Sequence, residues 1–156
     1  MNGKLELILH NIRSNHNVGS IFRTADGAGV NKIYLTGYTP APLDQFKRVN
    51  AEIAKTALGA EQSVEWEKRE DITELITELK KDSYQIWALE QNDKSADYRE
   101  VKLEGETALI VGNEVDGVEP EVLNLCDQII EIPMRGSKES LNVAVATGVA
   151  IFRLLG

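Results

Sequence analysis

Ile129 to Gly156 reads IIEIPMRGSKESLNVAVATGVAIFRLLG. It opens as a short apolar strand, crosses a loop of small and charged residues between Pro133 and Asn142, and runs on as an apolar helix from Leu141 to Leu155. Both flanking elements have core-like composition. The polar loop is therefore pinned at its two ends, as a binding loop on a rigid scaffold is. The helix carries more apolar side chains than one core face needs. Val143, Ala144, Val145, Val149, Ile151, Phe152 and Leu155 surround it, which leaves a face for a second copy of the chain.

Working outward from this stretch, the pattern of strand followed by helix repeats. Leu5 to Leu9 (LELIL) is a buried strand by length. The next segment has Val18, Ile21, Phe22, Ala25 and Ala28 at helical spacing, with Asn15 or Asn17 as cap and Gly29 as stop. Asn31 to Thr36 closes a βαβ unit. Asp44 to Ala60 is expected as a helix ending at Gly59, Ser63 to Glu67 as a brief strand and Ile72 to Lys81 as an amphipathic helix. Gln85 to Leu89 reads as a strand, Glu90 to Glu104 as polar connection, and Thr107 to Val111 as a buried strand. A helix from Pro120 to about Cys126 precedes a strand from Gln128 to Ile132. The fold class that follows is α/β, a mostly parallel sheet with helices on both faces, in one domain over residues 1–156.

Composition sets outer limits. No apolar run approaches the roughly 18 residues that a membrane helix needs, and Met1-Asn2-Gly3-Lys4 leads into a strand-like segment where a signal peptide would have an apolar stretch. Cys126 is the single cysteine, which excludes an intramolecular disulfide and reads as a small buried hydrophobe. A cytoplasmic, reducing setting is expected. The net charge of −8 weighs against a phosphate-rich partner in bulk, but the acids concentrate between Glu61 and Glu106. Arg13, Arg23, Lys47, Arg48, Lys55, Arg135 and Lys138 lie outside that block and are expected to converge on a basic site.

In open α/β sheets ligands collect outside the carboxyl ends of the strands. Four loops qualify, namely His10 to Asn17, Glu90 to Asn92, Gly112 to Gly117 and Pro133 to Asn142. Gly27-Ala28-Gly29 lies at a helix end with Lys32 where a third glycine would stand, so the dinucleotide fingerprint fails. No P-loop, HExxH or GxSxG is present, and His10 and His16 alone cannot build a zinc site; no metal is expected. What remains is Gly112-Asn113-Glu114, Gly117, Ser137, Ser140 and Asn142. Gly112 would let a ligand approach the main chain, and Glu114 can face a cationic ligand group or stand as a solvated acid beside an Asp116-Gly117 turn.

Three stretches, NHNVGSIFRTADGAGV, LIVGNEVDGVEPEVLNLCDQIIEIPM and SKESLNVAVATGVAIFRL, resemble in order and spacing the three motifs of the SpoU (TrmH-like) RNA ribose 2′-O-methyltransferases. The resemblance covers essentially the whole chain. It implies a SPOUT α/β domain with a deep C-terminal trefoil knot, S-adenosyl-L-methionine held by the knotted loops, a homodimer, and tRNA or rRNA as partner. Knots are rare enough that periodicity alone would not suggest one. By the same resemblance the catalytic set is Arg23, Asn17, Glu114, Ser140 and Asn142. The cofactor contacts are Leu89, Glu90, Gly112, Asn113, Ile132, Met134, Ser140 and Leu141.

The chemistry implied suits these types. A ribose 2′-hydroxyl is a weak nucleophile, so the protein must mainly align it with the methyl group and dispose of one proton. Arg23 has two open roles, general base or phosphate anchor, and the first runs against arginine's ordinary chemistry. Asn17, Ser140 and Asn142 can equally cap helices. Many relatives add an RNA-binding domain or terminal helices, for which this chain has no room, so RNA is expected on the dimer surface or a partner. The rival readings are a non-catalytic RNA- or cofactor-binding module of the same fold and an unrelated nucleotide-dependent α/β enzyme.

Overall fold

Alternate residues of each central strand go to opposite faces of one sheet. In the computed structural model, which describes residues 3–156, Leu5, Leu7 and Leu9 of β1 (Lys4–His10) enter one core while Ile8 enters the other. The same split separates Leu109 and Val111 from Ala108 and Ile110 in β6 (Glu106–Val111), and Trp87 from Ile86 and Ala88 in β4 (Gln85–Leu89). Strands apolar on both faces must be covered on both faces. One side is covered by α1 (Asn15–Ala28), α2 (Ala51–Ala57), α3 (Ala60–Ser63) and α6 (Val143–Leu155), the other by α4 (Ile72–Lys81) and α5 (Pro120–Leu123).

The remaining strands are β2 (Lys32–Thr36), β3 (Glu65–Arg69), β5 (Ala96–Asp97) and β7 (Gln128–Glu131). The sheet order is β3-β2-β1-β6-β4-β7-β5, and every pairing between these strands is parallel. All carboxyl ends therefore lie on one edge. The order leaves the ends of β6, β4 and β7 side by side, with the loops 112–119, 90–95 and 132–142 issuing from them.

Four expectations change. The segment from Asp44 is not helical until Ala51, because the Asp44 carboxylate turns back to accept from the backbone of Phe46 at 2.8 Å and of Arg48 at 2.9 Å. Asn50 caps α2, which ends at Leu58 in the left-handed region before Gly59, and residues 60–63 form a separate turn of helix. The strand expected at 63–67 accordingly begins at Glu65. The polar connection 90–104 contains β5, which pairs with β7, and a short 3-10 turn over Tyr98–Glu100. Proline at its first position starts α5, but it stops at Leu123.

Cys126 is half-buried against the α4 side, and burial pushes its thiol up to about 11. That is an inert packing residue. No helix among the described residues is long and apolar enough to cross a membrane.

Candidate functional site

The carboxyl ends of β4, β6 and β7 enclose a cavity. Every residue expected against a cofactor lines it: Leu89 and Glu90 after β4, Gly112 and Asn113 after β6, Ile132, Met134, Ser140 and Leu141 after β7. Leu89, Ile132, Met134 and Leu141 give it apolar walls. Glu114 and the 115–117 turn close its far side, with Val143 and Ala146 of α6 behind.

The turn after β6 is held by its own side chains. Asn113 and Gly117 exchange backbone hydrogen bonds at 3.1 and 3.0 Å, and Asn113 Oδ1 accepts from the backbone of Val115 at 2.8 Å and Asp116 at 2.9 Å. Gly117 has φ +67, and a Cβ there would lie 1.9 Å from Glu90 Oε2. The Glu90 carboxylate in turn accepts from Val118 N at 2.7 Å and Gln91 N at 3.1 Å. Gly112 lines the cavity and is also required by the turn itself. A Cβ on it would come within 2.6 Å of the Gly117 carbonyl, so the position serves the closure of the turn.

Glu114 reaches out of this turn to the start of α1. Its carboxylate accepts from Arg13 N at 3.0 Å, Ser14 N at 2.9 Å and Asn17 Nδ2 at 3.3 Å. Partial burial works to raise this carboxyl. The N–H groups of Arg13, Ser14 and Glu114 itself, with the Asn17 amide, outweigh burial and hold it below the ordinary carboxylate value. These bonds tie the carboxylate to the N-terminus of α1, where an anion is stabilised, while the residue also lines the cavity. It is therefore not a simple solvated acid.

Asn17 continues the chain of contacts. Its Oδ1 accepts from Asn142 Nδ2 at 3.3 Å, and Asn142 Oδ1 accepts from Ala144 N at 2.8 Å and Val145 N at 3.2 Å, capping α6. The cap of α1 is Ser14, whose hydroxyl accepts from Asn17 N, so neither Asn15 nor Asn17 has the capping role expected of it. Ser140 lies on the cavity wall and does not cap α6. One relay, Glu114 to Asn17 to Asn142, thus joins the loop after β6, the start of α1 and the start of α6.

Arg23 lies elsewhere. It is exposed on α1 and lines a shallow hollow with Lys55, Thr56, Leu58 and Phe152. Asn17 and Asn142 line an adjoining hollow with Val145 and Gly148, and His16, Ser20 and Thr24 border both. Of the basic residues expected to converge, Arg23 and Lys55 share a hollow, whereas Arg13 stacks near Tyr38 and Arg48 near Phe46.

Sequence reasoning held His16 and Gln91 only as members of candidate loops and passed over Glu131 as a site residue. His16 immediately precedes Asn17 in the first turn of α1, and the other two stand at strand ends where ligands collect, so position was the available signal. Gln91 Nε2 donates to the Glu139 carbonyl at 2.7 Å, tying the loop after β4 to the loop after β7. His10 is a core residue: its Nδ1 is 2.8 Å from Thr36 Oγ1, and its Nε2 meets the Glu119 carboxylate. Among the described residues no cluster of His, Cys, Asp and Glu is arranged to hold a metal ion.

Residues 4–152 match the model of the SpoU rRNA Methylase family. A 23S rRNA (guanosine-2′-O-)-methyltransferase of Haemophilus ducreyi is 36% identical over 152 residues, covering 97% of this chain and 59% of that protein. A tRNA (guanosine(18)-2′-O)-methyltransferase of Aquifex aeolicus is 37% identical over 142 residues, covering 91% of this chain and 64% of that one. The chain therefore spans about three-fifths of the length of these relatives. An AdoMet-bound rRNA methyltransferase from Sinorhizobium meliloti superposes with a TM-score of 0.85 at 28% identity, over 98% of this chain and 56% of that one. For a TrmH/SpoU tRNA modifying enzyme of A. aeolicus the values are 0.83 and 32%, over 97% and 74%. With the family model matched across nearly its whole length and the fold shared with these enzymes, the chain belongs to the SpoU rRNA Methylase family.

Proposed function

We propose that the chain is an S-adenosylmethionine-dependent RNA ribose 2′-O-methyltransferase acting on tRNA or rRNA as a homodimer. The observation that carries this is the cavity at the ends of β4, β6 and β7, lined by all eight residues that the family motifs assign to the cofactor. Its walls fit that group. Leu89, Ile132, Met134 and Leu141 offer apolar surface for a flat base, and the polar rim is suited to the ribose and amino-acid portions. When bound, S-adenosylmethionine supplies a methyl group already activated on sulfur. The chain's own work is to hold its walls in register and to orient a ribose hydroxyl. Glu114, Asn17 and Asn142 are positioning residues in this reading, because each is occupied in joining the elements that form the cavity.

Arg23 does not line the cavity but a separate hollow, which a dimer accounts for. Beside it the exposed face of α6 shows Val145, Val149 and Phe152, 53%, 37% and 52% exposed. Pairing that face with a second copy would bury it and bring Arg23 to the partner's cavity. Arg23 then anchors an RNA phosphate, with Lys55 beside it. The single domain over 1–156 and the backbone knot where the 112–119 and 132–142 segments meet belong to the same reading. The test is calorimetry with S-adenosylmethionine. One site per chain is expected, with affinity lost in Leu141→Asp; a wild-type chain that binds none would refute the assignment of the cavity.

A further inference from the structure

Between β2 and α2, residues 37–50 (GYTPAPLDQFKRVN) form an ordered hairpin whose base is anchored by buried Thr39 and Pro42 and whose tip, residues 43–49, is exposed. Leu43 and Val49 pair antiparallel, Asp44 N donates to the Arg48 carbonyl at 3.0 Å, and Lys47 N to the Asp44 carbonyl at 2.9 Å. The Asp44 carboxylate accepts from Phe46 N, Arg48 N and Arg48 Nε at 2.8, 2.9 and 2.7 Å. Both ends are tied to the segment that receives Glu114. Tyr38 N donates to Asn11 Oδ1 at 3.1 Å and Asn50 Nδ2 to Asn15 Oδ1 at 3.0 Å, while the Tyr38 hydroxyl accepts from Asn113 Nδ2 at 2.8 Å on the cavity wall.

This order holds rings out in water. Phe46 and Val49 are each 68% exposed and Tyr38 is 54% exposed. Each ring has a guanidinium beside it, Arg48 at 5.1 Å from the Phe46 centroid and Arg13 at 5.9 Å from that of Tyr38. Within 37–50 the charged residues are Lys47, Arg48 and Asp44, and the one acid is engaged in the turn, in a chain of net charge −8. An exposed ring on a fixed backbone takes a stacked base, and the cations beside it suit the phosphates on either side.

We infer that the 37–50 hairpin is a stacking platform for one unpaired nucleotide of the RNA substrate, with the base on the face of Phe46 that Arg48 leaves open and Lys47 and Arg48 toward its phosphates. The inference rests on the methyltransferase reading above and adds a substrate contact to it. It selects single-stranded or looped RNA, since a paired base cannot reach the ring.

The test titrates the full chain into a labelled mixed-sequence single-stranded oligoribonucleotide and into the same sequence as a duplex, reading anisotropy, with calorimetry against S-adenosylmethionine in parallel. The single strand is expected to bind more tightly than the duplex. Phe46→Ala weakens it about tenfold, as loss of one stacked base does, and Phe46→Trp restores it, with cofactor affinity unchanged in both. Equal binding by wild type and Phe46→Ala, or no binding of the single strand by wild type, overturns the inference. So does a Phe46→Ala chain that falls from dimer to monomer by light scattering while RNA affinity holds, which would assign the hairpin to a second copy. Cofactor binding without Phe46-dependent RNA binding sinks this inference alone; Phe46-dependent RNA binding without cofactor binding sinks the methyltransferase reading alone.

Discussion

At the scale of single residues, Asn17 is where the three motifs meet, donating to Glu114 and accepting from Asn142. Asn17→Ala removes both contacts and is expected to cost about 1–2 kcal/mol in urea unfolding, with a parallel loss of cofactor affinity, whereas a surface asparagine would cost little of either. Glu114 gives a pH dependence of definite sign. Its folded value lies below the ordinary 4.5, so its contribution to stability is present above that value and lost as pH falls through the depressed one. Urea melts between pH 7 and pH 3 are therefore expected to show a smaller acid loss in Glu114→Gln than in wild type. An equal loss would mean that Glu114 is not held by the α1 N-terminus. The cap of α6 was legible at this scale only as a choice between Ser140 and Asn142, since a cap before an apolar helix has a sequence signature, and the structure selects Asn142. Gly112 was legible as a necessary glycine, but not its contact with the Gly117 carbonyl, which only the folded turn brings there.

At the scale of elements, strand alternation and helical spacing placed the sheet and the main helices, and the misses have a common cause. Asp44 diverts the backbone of 44–50 through its own side chain, and β5 exists only because β7 is there to pair with it. Neither effect shows in a local pattern. Gly19 is an element-scale residue that the pattern also concealed. A Cβ on it would lie 1.9 Å from Thr56 Oγ1 and 2.5 Å from the Ile53 carbonyl, so α1 and α2 touch through the missing side chain. Gly19→Ala is expected to destabilise by about 1–3 kcal/mol through forced separation of the two helices. A denaturant midpoint unchanged from wild type would contradict that contact.

At the scale of the whole molecule, the sequence showed that the last helix is apolar beyond one face, and the structure leaves Val145, Val149 and Phe152 as that surplus. Val149→Asp is expected to give a monomer in analytical ultracentrifugation that still binds S-adenosylmethionine but transfers no methyl group, because Arg23 would no longer reach a partner's cavity. Separation of binding from turnover is the mark of a site completed across the dimer. What no local pattern could supply was the sheet order that brings the ends of β6, β4 and β7 together, since sequence neighbours do not become spatial neighbours there. The motif resemblance implied only that the loops after these strands hold one cofactor, not the strand order. The most direct test of the account is transfer of labelled methyl from S-adenosylmethionine to RNA, followed by digestion to nucleosides, for wild type and Arg23→Ala. The account predicts label on ribose 2′-O-methylnucleosides with wild type and its loss in the variant. A chain that binds the cofactor yet labels no RNA, or labels only bases, would contradict it.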